Sequence, residues 1–157
     1  MKIYRGARVS ANIYHPDGDA GDIGDGSQIH ADLFCGDGVH IAPNVTIVGK
    51  HPVELGDGVT LAPGVVIYTS RPDIDRSSRN SYREGSRWVG APVHLGDDVF
   101  VGANAVIAAG VRIADRVAIG AGSYVDADID APATLWAGAP ASKRRDLEVA
   151  PSVSEPE

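Results

Sequence analysis

"LGDDVF VGANAV IAAGVR IADRVA IGAGSY VDADID", residues 95–130, divides into sixes without an exception. Each unit opens on an aliphatic residue: Leu95, Val101, Ile107, Ile113, Ile119 and Val125. The fifth places hold Val99, Ala105, Val111, Val117, Ser123 and Ile129, and the second places are mostly Gly or Ala. A period of six matches neither a helical face, which recurs near 3.6, nor a strand face, which recurs at 2. It fits a coil of short parallel strands joined by tight turns, with first and fifth side chains inward and a small second residue where the chain turns a corner. Three units close one triangular coil. Stacked coils bury an aliphatic column that no single coil could bury alone.

The same frame runs upstream through LGDGVT, LAPGVV and IYTS, starting at Leu55, Leu61 and Ile67, and before that from Ile23, Ile29, Cys35, Ile41 and Ile47. The repeat therefore covers about Ile23 to Asp130. Ile47 to Leu55 is two residues too long for the frame, so "VGKHPVE" is expected to bulge at a corner. The larger break is "IYTSRPDIDRSSRNSYREGSRWVGAPV", Ile67 to Val93, which reads as a loop of about residues 70–92 protruding from the coil. Cys35 stands at a repeat start and is expected to be a small buried hydrophobe.

A chain of 157 residues with 43% apolar and 22% charged residues suits one domain. We place it at residues 1–146 and read 147–157, "LEVAPSVSEPE", as a disordered tail after a short C-terminal extension. A formal charge of -7 argues against nonspecific affinity for nucleic acid or anionic lipid. No apolar run is long enough to span a bilayer, the first residues lack the apolar core of a signal peptide, and a lone cysteine agrees with a reducing compartment. The expectation is a cytoplasmic protein.

The hexapeptides resemble those of the hexapeptide-repeat acyltransferases, which implies an all-β fold, a left-handed parallel β-helix. The hand comes from the resemblance alone, because parallel crossovers are otherwise right-handed in about 98% of cases. Within the family the galactoside and maltose O-acetyltransferases are most alike, through "NVTIV" and "LGDGV", "IYT" with "RNS" beyond it, and "GAPVHLGDDVFVGANAVI" running into "IGAGSYVDADI" and "AGAPASKRR". That resemblance implies a homotrimer with acetyl-CoA in a groove between prisms and a sugar-like small-molecule acceptor near the loop. It also implies cofactor contacts from Phe100, Ala103, Ala121, Asp126, Lys143, Arg144 and Arg145.

Acyl transfer to a hydroxyl asks for a general base near neutral pKa, usually histidine. Here the chain departs from the family. An ungapped count from "IYT" puts the family's loop histidine on Pro72, and the family's active-site asparagine falls on Ala42. Neither can move a proton. His40, which falls where the family has a tyrosine lining the acceptor pocket, His94 at the foot of the loop and Asp73 within it are the candidate replacements, with His51 a weaker one. An amine acceptor would tolerate the loss better than a hydroxyl. Two other readings stand beside this one: a trimeric β-helix that keeps a CoA groove as a relic or sensor, and a carbonic-anhydrase-like metal site. The second lacks the close histidine pair expected among His30, His40, His51 and His94.

Overall fold

The computed structural model describes residues 1–15, 18, 21–74 and 87–148. The chain is all-β among these residues and winds as a left-handed parallel β-helix of about 6 turns. Its strands collect on three faces. The first sheet holds Lys2–Ile3, Asp22–Ile23, His40–Ile41, Thr60–Leu61, Phe100–Val101 and Ala118–Ile119, and ends in Thr134–Gly138 and Ala141–Asp146. The second holds Arg8–Val9, Gln28–Ile29, Thr46–Val48, Val66–Tyr68, Val106–Ile107 and Tyr124–Val125. The third holds Ile13–Tyr14, Leu33–Cys35, Val53–Leu55, Val93–Leu95 and Arg112–Ile113, with Ile129 bridged to Ile113 beyond it.

The first and fifth places of the quoted hexapeptides are all buried, from Leu95 and Ala105 at 0% exposure to Ile129 at 2%. Each such aliphatic side chain, once removed from water, is worth roughly 1.5–3 kcal/mol before entropy is set against it. Ser123 is a polar member of this column, and its hydroxyl accepts the Gly138 backbone N–H at 3.1 Å, tying the last coil to the closing hairpin.

The small second places have a reason that the repeat did not announce. The backbone N–H of Asp37 donates to the carboxylate of Asp57 at 2.8 Å, Asp57 to Asp97 at 2.9 Å, and Asp97 to Asp115 at 2.8 Å. This ladder of carboxylates runs up one corner of the prism, each satisfying the turn of the preceding coil. A methyl built on Gly56 would meet the Asp97 carboxylate and lie 2.7 Å from the carbonyl carbon of Gly96. Glycine there leaves room for the neighbouring coil, whereas the sequence suggested only that the chain needed to turn.

One full coil precedes Ile23: Lys2, Arg8 and Ile13 pair in parallel with Asp22, Gln28 and Leu33. Its first and fifth places, Ile3, Val9, Ala7 and Ile13, are apolar, but the frame misses it because Lys2 to Asp22 spans 20 residues where the next coil, Asp22 to His40, spans 18. The bulge after Val48 turns on Gly49 at φ 131°, where a Cβ would lie 2.8 Å from the Ser70 nitrogen. Thr69, fully buried, accepts the His51 N–H at 3.1 Å and holds this bulge against the start of the loop. The loop leaves the prism as a ribbon, Ser70–Pro72 antiparallel to Trp88–Gly90, at the corner between the second and third sheets. Residues 75–86, with the "RNS" motif, and the tail from 149 onward lie outside the described residues.

Candidate active site

The three candidate bases stand apart. His40 is in the first sheet, His94 in the third, and Asp73 follows the ribbon at the corner between the second and third sheets. Asp73 is 7% exposed, and its backbone N–H donates to the Arg87 carbonyl at 2.8 Å, so it belongs to the packed stem of the loop. Pro72 pairs with Trp88 in the same stem, and Lys50 lies over the Trp88 ring at 5.5 Å.

Each of the two histidines carries a carboxylate. The Nδ1–H of His40 donates to Oδ1 of Asp22 at 2.5 Å, and the Nδ1–H of His94 donates to Oε2 of Glu54 at 2.8 Å. Carboxylates only accept, so each bond assigns the proton to Nδ1 and leaves Nε2 as the basic nitrogen whenever the ring is neutral. Neither carboxylate was singled out from the sequence. For Asp22 a signal existed, because it lies 18 residues before His40, one coil of three hexapeptides. Glu54 lies 40 residues before His94, and that separation includes the loop.

The first sheet does more than hold His40. In its register His40 is followed by Thr60, Phe100, Ala118 and Leu135, so Phe100 lies two strands from His40, roughly 10 Å at the usual strand spacing. Phe100 is 46% exposed, as open a ring as Tyr14. The sheet closes with the strand that presents Lys143, Arg144 and Arg145. Arg144 donates to the Ala137 carbonyl at 3.0 Å, and Lys143 pairs with Asp146 at 2.7 Å. Ala103 and Ala121 occupy stacked turns at the corner with the second sheet, joined by the Gly122 N–H donating to the Ala103 carbonyl at 2.8 Å. An open pocket of about 260 Å³, bordered by Tyr4, Asp22, His40 and Pro43, sits beside the dyad.

Asp126 departs from this group. It follows Val125 out of the second sheet, within electrostatic reach of Tyr68, whose hydroxyl shares a 2.9 Å hydrogen bond with that of Tyr124. Burial, and then the Tyr124 hydroxyl, push Tyr68 up to about 12, and nearby Arg71 pulls the other way. This tyrosine pair at the root of the loop was not foreseen, since its members are 56 residues apart. Ala42, at the family's asparagine position, is 4% exposed and packs in the wall of the coil. Among the described residues no three His, Cys, Asp or Glu side chains gather as metal ligands would.

Comparison with known proteins adds to this geometry. Residues 36–69 and 92–127 match the family described as the hexapeptide repeat of succinyl-transferase. The chain is 33% identical over 113 residues to the galactoside O-acetyltransferase of Escherichia coli K12, covering 71% of this chain and 43% of that one. A maltose O-acetyltransferase from Clostridium difficile 630 superposes with a TM-score of 0.60 at 32% identity, over 94% of this chain and 69% of its own. A hexapeptide-repeat acetyltransferase from Vibrio cholerae, solved with acetyl coenzyme A, superposes with a TM-score of 0.61 at 28% identity, over 92% of this chain and 72% of its own. The chain spans under half the length of the curated relatives it matches.

Proposed function

The chain belongs to the hexapeptide-repeat acyltransferases, and from that premise we propose that it transfers an acetyl group from acetyl-CoA to a hydroxyl or amine of a sugar or similar small polar acceptor, with His40 in place of the family's loop histidine. The observation that carries this reading is the shared first sheet. One face presents an Asp22–His40 dyad beside a pocket, an exposed Phe100, and a terminal strand bearing Lys143, Arg144 and Arg145. His94 has the same local chemistry but stands on another face.

In this reading the acceptor occupies the pocket at His40, and Nε2 removes its proton as the oxygen or nitrogen attacks the thioester carbonyl. The tetrahedral oxyanion is held by a donor hydrogen bond, then collapses, and the CoA thiolate leaves with the proton that His40 returns. Asp22 fixes the tautomer and favours the imidazolium that forms, as an orienting carboxylate does for a catalytic histidine. The pantetheine arm lies along the stacked turns of Ala103 and Ala121, and the basic strand meets the CoA phosphates as charge-assisted partners. Acetyl-CoA as donor is supported by the acetyl-CoA complex of the Vibrio cholerae relative. A closed trimer, with adjacent prisms forming the groove, is part of the same proposal.

The test is transfer from acetyl-CoA across a panel of monosaccharides and amino sugars, followed by release of free CoA thiol. We expect turnover with at least one acceptor, lost in His40→Asn. Cofactor binding with no turnover across the panel would overturn it in favour of a CoA-binding protein without catalysis. That reading has its own support in Pro72, since the family's loop base is absent. Light scattering in solution tests the trimer.

A further inference from the structure

The third sheet carries a second cavity that this function does not use. It is open, has a volume of about 410 Å³, and lies within the size range of small-molecule sites, about 300–1,000 Å³. Its wall at the open end of the prism is a pair of rings: Tyr14 and Phe34 stack with centroids 4.5 Å apart and planes inclined by 12°. Phe34 remains 42% exposed despite that contact. Chain register then sets Glu54 one strand beyond Phe34 and His94 one strand beyond Glu54, and the carboxylate and imidazole bond to each other at 2.8 Å. Cys35 and Leu55, both 4% exposed, close the floor.

The chemistry of this wall restricts what fits it. A flat aromatic surface is bordered on one side by a carboxylate with further acceptor capacity and an imidazole whose Nε2 accepts when the ring is neutral and donates when it is charged. Among the described residues no lysine or arginine lines the cavity, so it offers no permanent positive charge to a phosphate or a carboxylate; His15 joins His94 as the second imidazole of its lining. A ligand that satisfies both sides has an apolar face and a rim of hydroxyl groups. A pyranose ring has this shape: its axial C–H bonds form the face and its equatorial hydroxyls form the rim.

We propose that this cavity is a carbohydrate-binding site, holding one pyranose ring with its C–H face on Phe34 and its hydroxyls on Glu54 and His94. Within one protomer it stands on a different sheet from the His40 pocket. The wall is built by register: successive coils contribute ring, ring, carboxylate and imidazole at equivalent places, and only three-dimensional stacking makes them neighbours.

The chain has two phenylalanines, Phe34 in this cavity and Phe100 on the first sheet, which makes the test direct. In full-length protein labelled at phenylalanine rings, titration with methyl β-D-glucopyranoside should move the Phe34 resonances, with a dissociation constant on the order of 1 mM, and leave Phe100 still. Coenzyme A should do the reverse. Glu54→Gln should weaken the sugar titration at least about fivefold, a loss of about 1 kcal/mol by RT ln K, as expected for a charge-assisted hydrogen bond. A Phe34 resonance unmoved by the sugar, or a titration unchanged in Glu54→Gln, overturns the proposal. Because the readout needs no acetyl-CoA and no turnover, its failure leaves the acetyl-transfer reading standing, and the converse also holds.

Discussion

Among the described residues, the pairs His40–Asp22 and His94–Glu54 both face solvent and differ in little except the sheet that holds them. His40–Asp22 and His94–Glu54 both use Nδ1 toward a carboxylate of the preceding coil, at 2.5 and 2.8 Å. Both histidines occupy the sixth place of a hexapeptide. One shares its face with Phe100 and the basic terminal strand, and the other with the stacked pair Tyr14–Phe34. A side chain's role in a solenoid is therefore decided by which of three faces the repeat delivers it to. The first face is proposed to run chemistry on CoA, the third to hold a sugar.

The sharpest way to break this contrast is to remove each imidazole in turn. His40→Asn should lower kcat by about 10²–10⁴-fold, the usual contribution of a general base, while His94→Asn changes it by less than about threefold. Equal losses in both variants would put the reaction on the wrong face. Next in size are the cofactor contacts: alanine at both Lys143 and Arg145 should raise the KM for acetyl-CoA by roughly 10–100-fold with kcat largely kept, as expected for lost bonds to charged groups. Both side chains are exposed, and the Lys143 ion pair with Asp146 lies at the surface, so the stability effect should be small.

Asp22→Asn should lower kcat by about tenfold and move the pH dependence of kcat/KM, since the carboxylate acts through His40. Glu54→Gln should leave that profile in place. The smallest effect concerns Cys35, on the floor of the third-face cavity. Burial pushes its thiol up to about 12 from 9.0. The folded thiol thus keeps its proton where the unfolded one has lost it, so its contribution to stability is intact below about pH 9 and declines as pH rises from there toward 12. Alkylation by iodoacetamide at pH 8, which needs the thiolate, should be far slower in the native protein than in urea-unfolded protein.

Much of the fold was legible because hexapeptide periodicity records burial directly: a coil can stack only if its first and fifth side chains are apolar. The first coil escaped although Ile3, Val9, Ala7 and Ile13 keep the apolar first and fifth places. Lys2 to Asp22 spans 20 residues where Asp22 to His40 spans 18, and the longer coil breaks the count before Ile23. The carboxylate ladder of Asp57, Asp97 and Asp115 was visible as a recurring "GD" or "AD", but its function as a cap for the neighbouring coil's backbone was not, since it is made between coils. The candidate site was legible only in its parts. His40 was named without Asp22, and Phe100 without the knowledge that both lie on one sheet. Asp73 read as a loop carboxylate, yet it is packed into the stem.

By itself the sequence determined the architecture: a period of six, aliphatic residues at first and fifth places, and one long interruption leave a triangular coil with a single loop. It also determined that no histidine stands between Ile67 and Val93. Tertiary structure alone decided which residues meet. In a solenoid, neighbours are one coil apart, and the length of a coil changes wherever a bulge or loop is inserted: Asp22 reaches His40 across 18 residues and Glu54 reaches His94 across 40. Hydrogen bonding between coils absorbs those insertions and restores the register, and that restored register brings each imidazole to its carboxylate.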